Sequence, residues 1–156
     1  MNNTSDYMKR LAILILLFLM SPLAIPLFAQ SEYRVGEVFD GKVIPMEQTK
    51  EILITRASEL PGDIDHFHSI EFLADADMLA TVTALVEADA ANAGDKETSI
   101  KGGKLTYAIL RFQNKIFDRY ICFSAKPEED DKYKVTILYI KGPESIKDLK
   151  KIFRNN

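Results

Sequence analysis

Hydrophobic and polar positions alternate with period two through most of the second half of the chain and switch to helical spacing in two stretches. Residues 33–39 form a short apolar-rich run that predicts a brief helix, weakened by Gly36. Residues 50–56 (KEILITR) are rich in β-branched side chains and predict a first strand. The Pro61-Gly62-Asp63 tripeptide then marks a turn. Residues 68–73 (HSIEFL) set Ile70 and Phe72 against Ser69 and Glu71, the alternation of a second short strand. From Ala76 the period changes. Met78, Leu79, Val82, Leu85 and Val86 share one face at helical spacing, with alanines between them. Asp75 is placed as N-cap, Asp77 adds negative charge to the first turn, and residues 92–94 supply the stop.

The remainder reads as an antiparallel meander. Lys101-Gly102-Gly103-Lys104 separates ETSI from LTYAILRF, and two glycines suit the positive φ angles of a tight hairpin. Residues 113–115 (QNK) form the next turn before IFDRYICFSA, and the polar loop 126–132 (KPEEDDK) leads into YKVTILYIKG. After Gly142-Pro143, Ser145 and Asp148 stand at capping-box spacing, and Ile146, Leu149, Ile152 and Phe153 make the apolar face of a last helix. The expected fold is α+β, in the order β-β-α-β-β-β-β-α, with a mainly antiparallel sheet and helices packed on one face.

Ahead of this domain the pattern is different. Residues 1–10 are polar and end in Lys9 and Arg10, residues 11–20 are unbroken apolar sequence, and Pro22, Pro26 and Ala29 follow. A cationic start, a short apolar core and a small terminal residue describe a secretory signal peptide over residues 1–29, cleaved after Ala29. The competing expectation is an uncleaved anchor, since residues 11–29 are just long enough to span a bilayer, but the two prolines weigh against it. The expectation is therefore an exported protein, periplasmic or outer-surface, with residues 30–156 forming one secreted α+β domain and a membrane contact only through an uncleaved leader.

Between Lys96 and Phe153 the chain carries, in order, a glycine hairpin (KGGKLTYAILRF), a strand (FDRYICFSA), an apolar strand (ILYIKG) and a helix start (SIKDLKKIF), preceded by the strand-then-helix segment HSIEFLADADMLATV. This arrangement resembles a family of small exported Bacteroidota proteins known only as a domain of unknown function. The resemblance covers most of residues 50–153 and rests on packing and turn patterns. It implies a secreted α+β domain and supplies no catalytic residues.

Composition narrows the function classes. The 156 residues are 47% hydrophobic, with 20 basic and 23 acidic side chains and a net charge of −3, which excludes a disordered tail and a polytopic membrane protein. One cysteine excludes an intrachain disulfide framework; Cys122, in an apolar strand, reads as a small buried hydrophobe. The charges are segregated. Residues 57–95 hold nine acids and no Lys or Arg, whereas residues 96–156 hold 14 basic and 8 acidic residues, a block of +6. The plainer interpretation pairs these blocks within one domain. The sharper one is a bipolar surface that docks an envelope protein or an acidic glycan, with Lys147, Lys150, Lys151 and Arg154 on the last helix as its basic patch. Net acidity and export argue against nucleic acid.

His66 and His68, in GDIDHFH, point the same way at i, i+2 if extended, sharing a face with Ile64 while Asp63 and Asp65 point away. Such a pair begins a zinc or iron site but is half of one, and its alternative is a polar exposed turn leading into a strand. Among carboxylates, Glu71 is the best single candidate, Asp75 and Asp77 belong to a helix start, and residues 128–131 form a solvated loop; nothing in sequence pairs Glu71 with a second acid. No nucleophile elbow, P-loop, dinucleotide fingerprint or H-E-x-x-H motif is present. Tyr107, Tyr120 and Tyr139 can share one open sheet face, although two-sided packing is the simpler expectation. The leading expectation is a non-catalytic domain with no cofactor that binds a protein or envelope component. The alternative is a small metal-assisted enzyme using His66 and His68, and a homodimer through a sheet edge or the last helix is a third expectation.

Overall fold

The structure, a computed structural model, describes residues 32–55, 64–143 and 145–154. The signal-peptide segment, the turn at Pro61 to Asp63 and the side chain of Arg154 lie outside the described residues. The elements run α1 (Gly36–Phe39), β1 (Lys50–Ile54), β2 (His66–Ala74), α2 (Ala76–Ala90), β3 (Asp95–Lys101), β4 (Lys104–Phe112), β5 (Asp118–Pro127), β6 (Tyr133–Gly142) and α3 (Ile146–Arg154), with a 3-10 turn at Met46–Gln48 before β1.

The six strands form one sheet in the order β1-β2-β6-β5-β4-β3, and every neighbouring pair is antiparallel. The α+β class and the mainly antiparallel sheet expected from the sequence are thus present. Tight turns build the β3-to-β6 meander. Gly102 and Gly103 both have positive φ, 57° and 74°, which lets the chain reverse between β3 and β4 with no Cβ penalty. Asp130 and Asp131 also take positive φ, 57° and 53°, between β5 and β6, a conformation aspartate tolerates better than most side chains. The hairpin from β4 to β5 is held by charge: Arg111 Nε and Nη2 donate to Asp118 Oδ2 at 2.8 and 2.5 Å, and Asp118 Oδ1 accepts the Asn114 N–H at 3.2 Å.

β2 is longer than the alternation of residues 68–73 suggested. It pairs along its whole length with β6, from His66 opposite Lys141 to Ala74 opposite Tyr133. A strand's extent is set by the partner it lies against, and that partner is far away in sequence. α2 begins where expected: the Asp75 side chain accepts the Met78 N–H at 2.8 Å, the hydrogen bond of an N-cap. The Ser145 hydroxyl donates to Asp148 Oδ2 at 2.5 Å and accepts the Asp148 N–H at 3.1 Å, so the expected cap of α3 is formed.

The helices do not share one face, contrary to expectation. Leu79, Val82 and Val86 of α2, with Val35, Val38 and Phe39 around α1, pack on Ile70, Phe72, Ala108, Leu110, Ile121, Phe123, Val135 and Ile137. Ile146 and Leu149 of α3 instead join Ile64, Ile109, Tyr120 and Ile140 in a separate core. The physical reason lies in the strands. β4, β5 and β6 carry large apolar residues at both parities, so both sheet faces need cover, and α2 and α3 each take one. Tyr120 is fully buried on the α3 face, where its hydroxyl donates to the Pro143 carbonyl at 2.5 Å and ties the start of α3 to the sheet.

Candidate functional site

α3 covers only part of its face. Ile109, Tyr120 and Ile140 lie beneath it, but the strands continue past the helix with Tyr107, Cys122 and Leu138 only partly buried. The result is a groove of about 320 Å³ between the sheet and the helix, with Tyr107, Ile109, Cys122 and Leu138 as floor and Leu149 and Lys150 as wall. Two cross-strand rows make that floor. Ser69, Leu138, Cys122 and Ile109 are successive partners, and the next row runs Glu71, Thr136, Ser124 and Tyr107. The first row is mainly apolar and the second carries hydroxyls, so the groove has a greasy centre and a hydrogen-bonding margin.

The groove chemistry is not nucleophilic. Burial pushes the Cys122 thiol up to about 12, so it is protonated at neutral pH and acts as a small apolar surface. Burial likewise raises the Tyr107 phenol, which remains a neutral donor.

Of the basic patch expected on the last helix, Lys150 lines this groove. Lys150 donates to Glu97 Oε2 at 2.7 Å across the groove wall, and Lys151 pairs with Asp148 at 2.9 Å. Lys147 is exposed and has no ion-pair partner among the described residues. Hydrogen bonds from Ser145 and Lys151 hold the Asp148 carboxyl below its ordinary value.

Charge segregation survives folding. The acidic α2, with Asp77, Glu87 and Asp89 and no basic residue, covers one sheet face, and the lysine-bearing α3 covers the other. Among the described residues a single ion pair, Lys134 to Glu71 at 3.1 Å, joins residues 57–95 to residues 96–156. Wholesale pairing of the two blocks within the domain is therefore not how these described charges are arranged.

The histidines are strand residues and not an exposed turn. His68 is 3% exposed, packs on Phe39 with ring centroids 4.5 Å apart, and its Nε2 lies 2.6 Å from Glu51 Oε1. His66 projects to the same face, its ring edge-on to Tyr139 at 5.6 Å. Ile64 does not share their face as expected, since it precedes β2 and packs beneath α3. The fold therefore brings the two histidines to one face but gives them different neighbours. Among the described residues, no group of three or more His, Cys, Asp or Glu side chains is placed to hold a metal ion. Glu71 lies between Lys134 and Lys50, at 3.1 and 3.9 Å, with its charge answered by cations.

The tyrosines separate as well. Tyr107 and Tyr120 lie on the α3 face, whereas Tyr139 lies on the α2 face beside Tyr33, so the expected three-tyrosine face does not form. β-strand parity explains it: Tyr139 is opposite Ile121, one position out of phase with Tyr120. Sequence reasoning also missed Arg119. It pairs with Glu32 and bonds Tyr33, a contact between the first described residues and the middle of the sheet that no local pattern signals.

A family of unknown function (DUF6108) matches residues 22–153 of the chain. The chain belongs to that family. The match takes in every described strand and the helices on both sheet faces, including both walls of the groove. No curated protein and no solved structure matches the chain. This membership agrees with the resemblance to a domain of unknown function noted from the hairpin and helix motifs.

Proposed function

We propose that this DUF6108 chain is an exported, non-catalytic domain that binds a protein of the cell envelope, and that the groove between the sheet and α3 receives an apolar segment of that protein flanked by acidic residues. The observation that carries the reading is the juxtaposition of Leu138, Ile109 and Leu149 in an open groove with Lys150 of the lysine-bearing α3 at its wall. An apolar anchor gains by leaving water, at about 25 cal/mol per Å² of surface removed. Acidic flanks gain from the cationic helix and are steered toward it at low salt. Export is supported by the cationic start and apolar core of residues 1–29.

The test uses the full chain and fluorescein-labelled peptides that place Leu or Phe between Asp and Glu, beside matched peptides flanked by Lys. Acid-flanked peptides bind with salt-dependent affinity, and Leu138→Lys abolishes the signal. Equal binding of both peptide sets, or undiminished binding to the Leu138→Lys variant, overturns the reading. Retention on an acidic polysaccharide column with no peptide binding replaces the protein partner with a glycan. Capture from an envelope fraction then supports the reading only where the same protein is lost with Leu138→Lys.

A further inference from the structure

On the α2 face the sheet ends in a cross-strand row: Phe112, Arg119, Lys141 and His66 are successive partners on β4, β5, β6 and β2. Direct cross-strand partners project to the same side, so three basic side chains stand together. Tyr139 lies against this row, its ring 5.6 Å from His66 and 6.1 Å from Tyr33. The Tyr139 hydroxyl and His66 Nε2 are both buried, and neither finds a hydrogen-bond partner among the described residues. Protein interiors leave few such groups unpaired, and two in contact beside two cations form an arrangement that a ligand completes.

The chain itself indicates the chemistry. Glu32 places a carboxylate on the Arg119 guanidinium, which also bonds Tyr33. Glu32 is exposed over more than half its side chain, so this carboxylate is the displaceable member of the cluster. Lys141 is half-buried and has no ion-pair partner among the described residues. Nearby His68 is engaged with Glu51, and the acid whose field reaches His66 is Asp65.

We propose that this end of the sheet binds a small oxyanion, a carboxylate or a phosphate group, through Arg119, Lys141, the Tyr139 hydroxyl and His66 Nε2–H. Tyr139 and His66 each donate one hydrogen bond to the anion, Lys141 supplies a point charge, and Arg119 turns to it from Glu32. The site lies on the opposite side of the sheet from the α3 groove and stands or falls independently of it.

The full chain is titrated with sodium acetate and with sodium phosphate, each against sodium chloride at matched ionic strength, while the His66 ring resonances and the melting temperature are followed. Either anion gives saturable shifts at His66 and raises the melting temperature, and the one that saturates at lower concentration identifies the source as carboxylate or phosphate. Tyr139→Phe removes a hydroxyl with no partner among the described residues, so the fold persists while anion affinity falls about tenfold or more. Lys141→Gln weakens binding by a smaller factor. Glu32→Gln strengthens it severalfold by withdrawing the competing carboxylate. Identical shifts with chloride, or a Tyr139→Phe variant that titrates like the unaltered chain, overturns the proposal.

Discussion

The Asp89 carboxylate accepts the backbone N–H of Val35 at 2.9 Å, and its other oxygen takes the N–H of Arg34 at 2.8 Å. Asp89 sits near the end of α2, more than fifty positions along the chain, and is 4% exposed. The contact fastens the segment that opens the domain to the helix covering the larger core. It also directs Val35, Val38 and Phe39 into that core. A buried carboxylate is tolerated here because two backbone donors answer it.

Asp89→Ala strands both N–H groups and destabilises the chain by about 2 kcal/mol, read as a lower midpoint in urea unfolding. The pH dependence follows from the carboxyl's shift. Burial raises its folded value above the ordinary 3.8, against the lowering effect of the Val35 and Arg34 hydrogen bonds. The folded state therefore holds this proton more tightly than the unfolded chain. Its contribution is fullest below about 4 and is lost as pH rises through the folded value. Asp89→Asn flattens that part of the stability profile; an unchanged slope would show that other carboxyls set it.

His66 acts in the opposite direction. Burial, with help from Lys141 and His68, lowers its folded value from 6.5, so the folded state disfavours the imidazolium. Its contribution is present above pH 6.5 and is lost as pH falls through the depressed folded value. His66→Gln removes this acid-side slope. Melting temperatures across the weakly acidic range check it, with bound acetate or phosphate reducing the slope by favouring the charged ring.

Cys122 offers a kinetic probe of the groove. With its thiol at about 12 in place of 9.0, the thiolate is scarce at pH 8. Labelling by a disulfide reagent runs at least about a hundredfold slower in the folded chain than in denaturant. A folded rate matching the denatured one would mean that the groove floor is not the apolar environment described.

Tyr120→Phe removes the donor to the Pro143 carbonyl while keeping the buried ring. The expected cost is about 1 kcal/mol, concentrated at α3 because that carbonyl lies at the helix's approach. Hydrogen exchange in α3 accelerates before the rest of the sheet opens, whereas uniform acceleration would place the loss elsewhere.

Much of the architecture was legible in local pattern. The caps at Asp75 and Ser145, the glycine hairpin at Gly102 and Gly103, and the four-strand meander all rest on interactions within a few residues. The candidate site was legible only in part. The basic face of α3 could be read from Lys147, Lys150 and Lys151, but the groove beside it could not. Leu138, Cys122 and Ile109 come from three strands, and they meet only because the register aligns them. The expectation of a metal pair at His66 and His68 was right about their shared face. It could not anticipate Glu51, seventeen positions earlier in the chain, at His68.

By itself, the amino-acid order determined the period of each element, the residues that cap or turn it, and the segregation of acid from base. Those properties are short-range, since backbone geometry fixes which neighbours share a face and which residues tolerate positive φ. Tertiary structure decided that α2 and α3 lie on opposite faces, so that the acidic helix and the lysine-bearing helix are parted by the thickness of a sheet. It also decided that α3 leaves part of its face open and that Arg119, Lys141 and His66 stand in one row. Each of these outcomes depends on strand register and on which apolar face finds cover first, and those are properties of the whole packed chain.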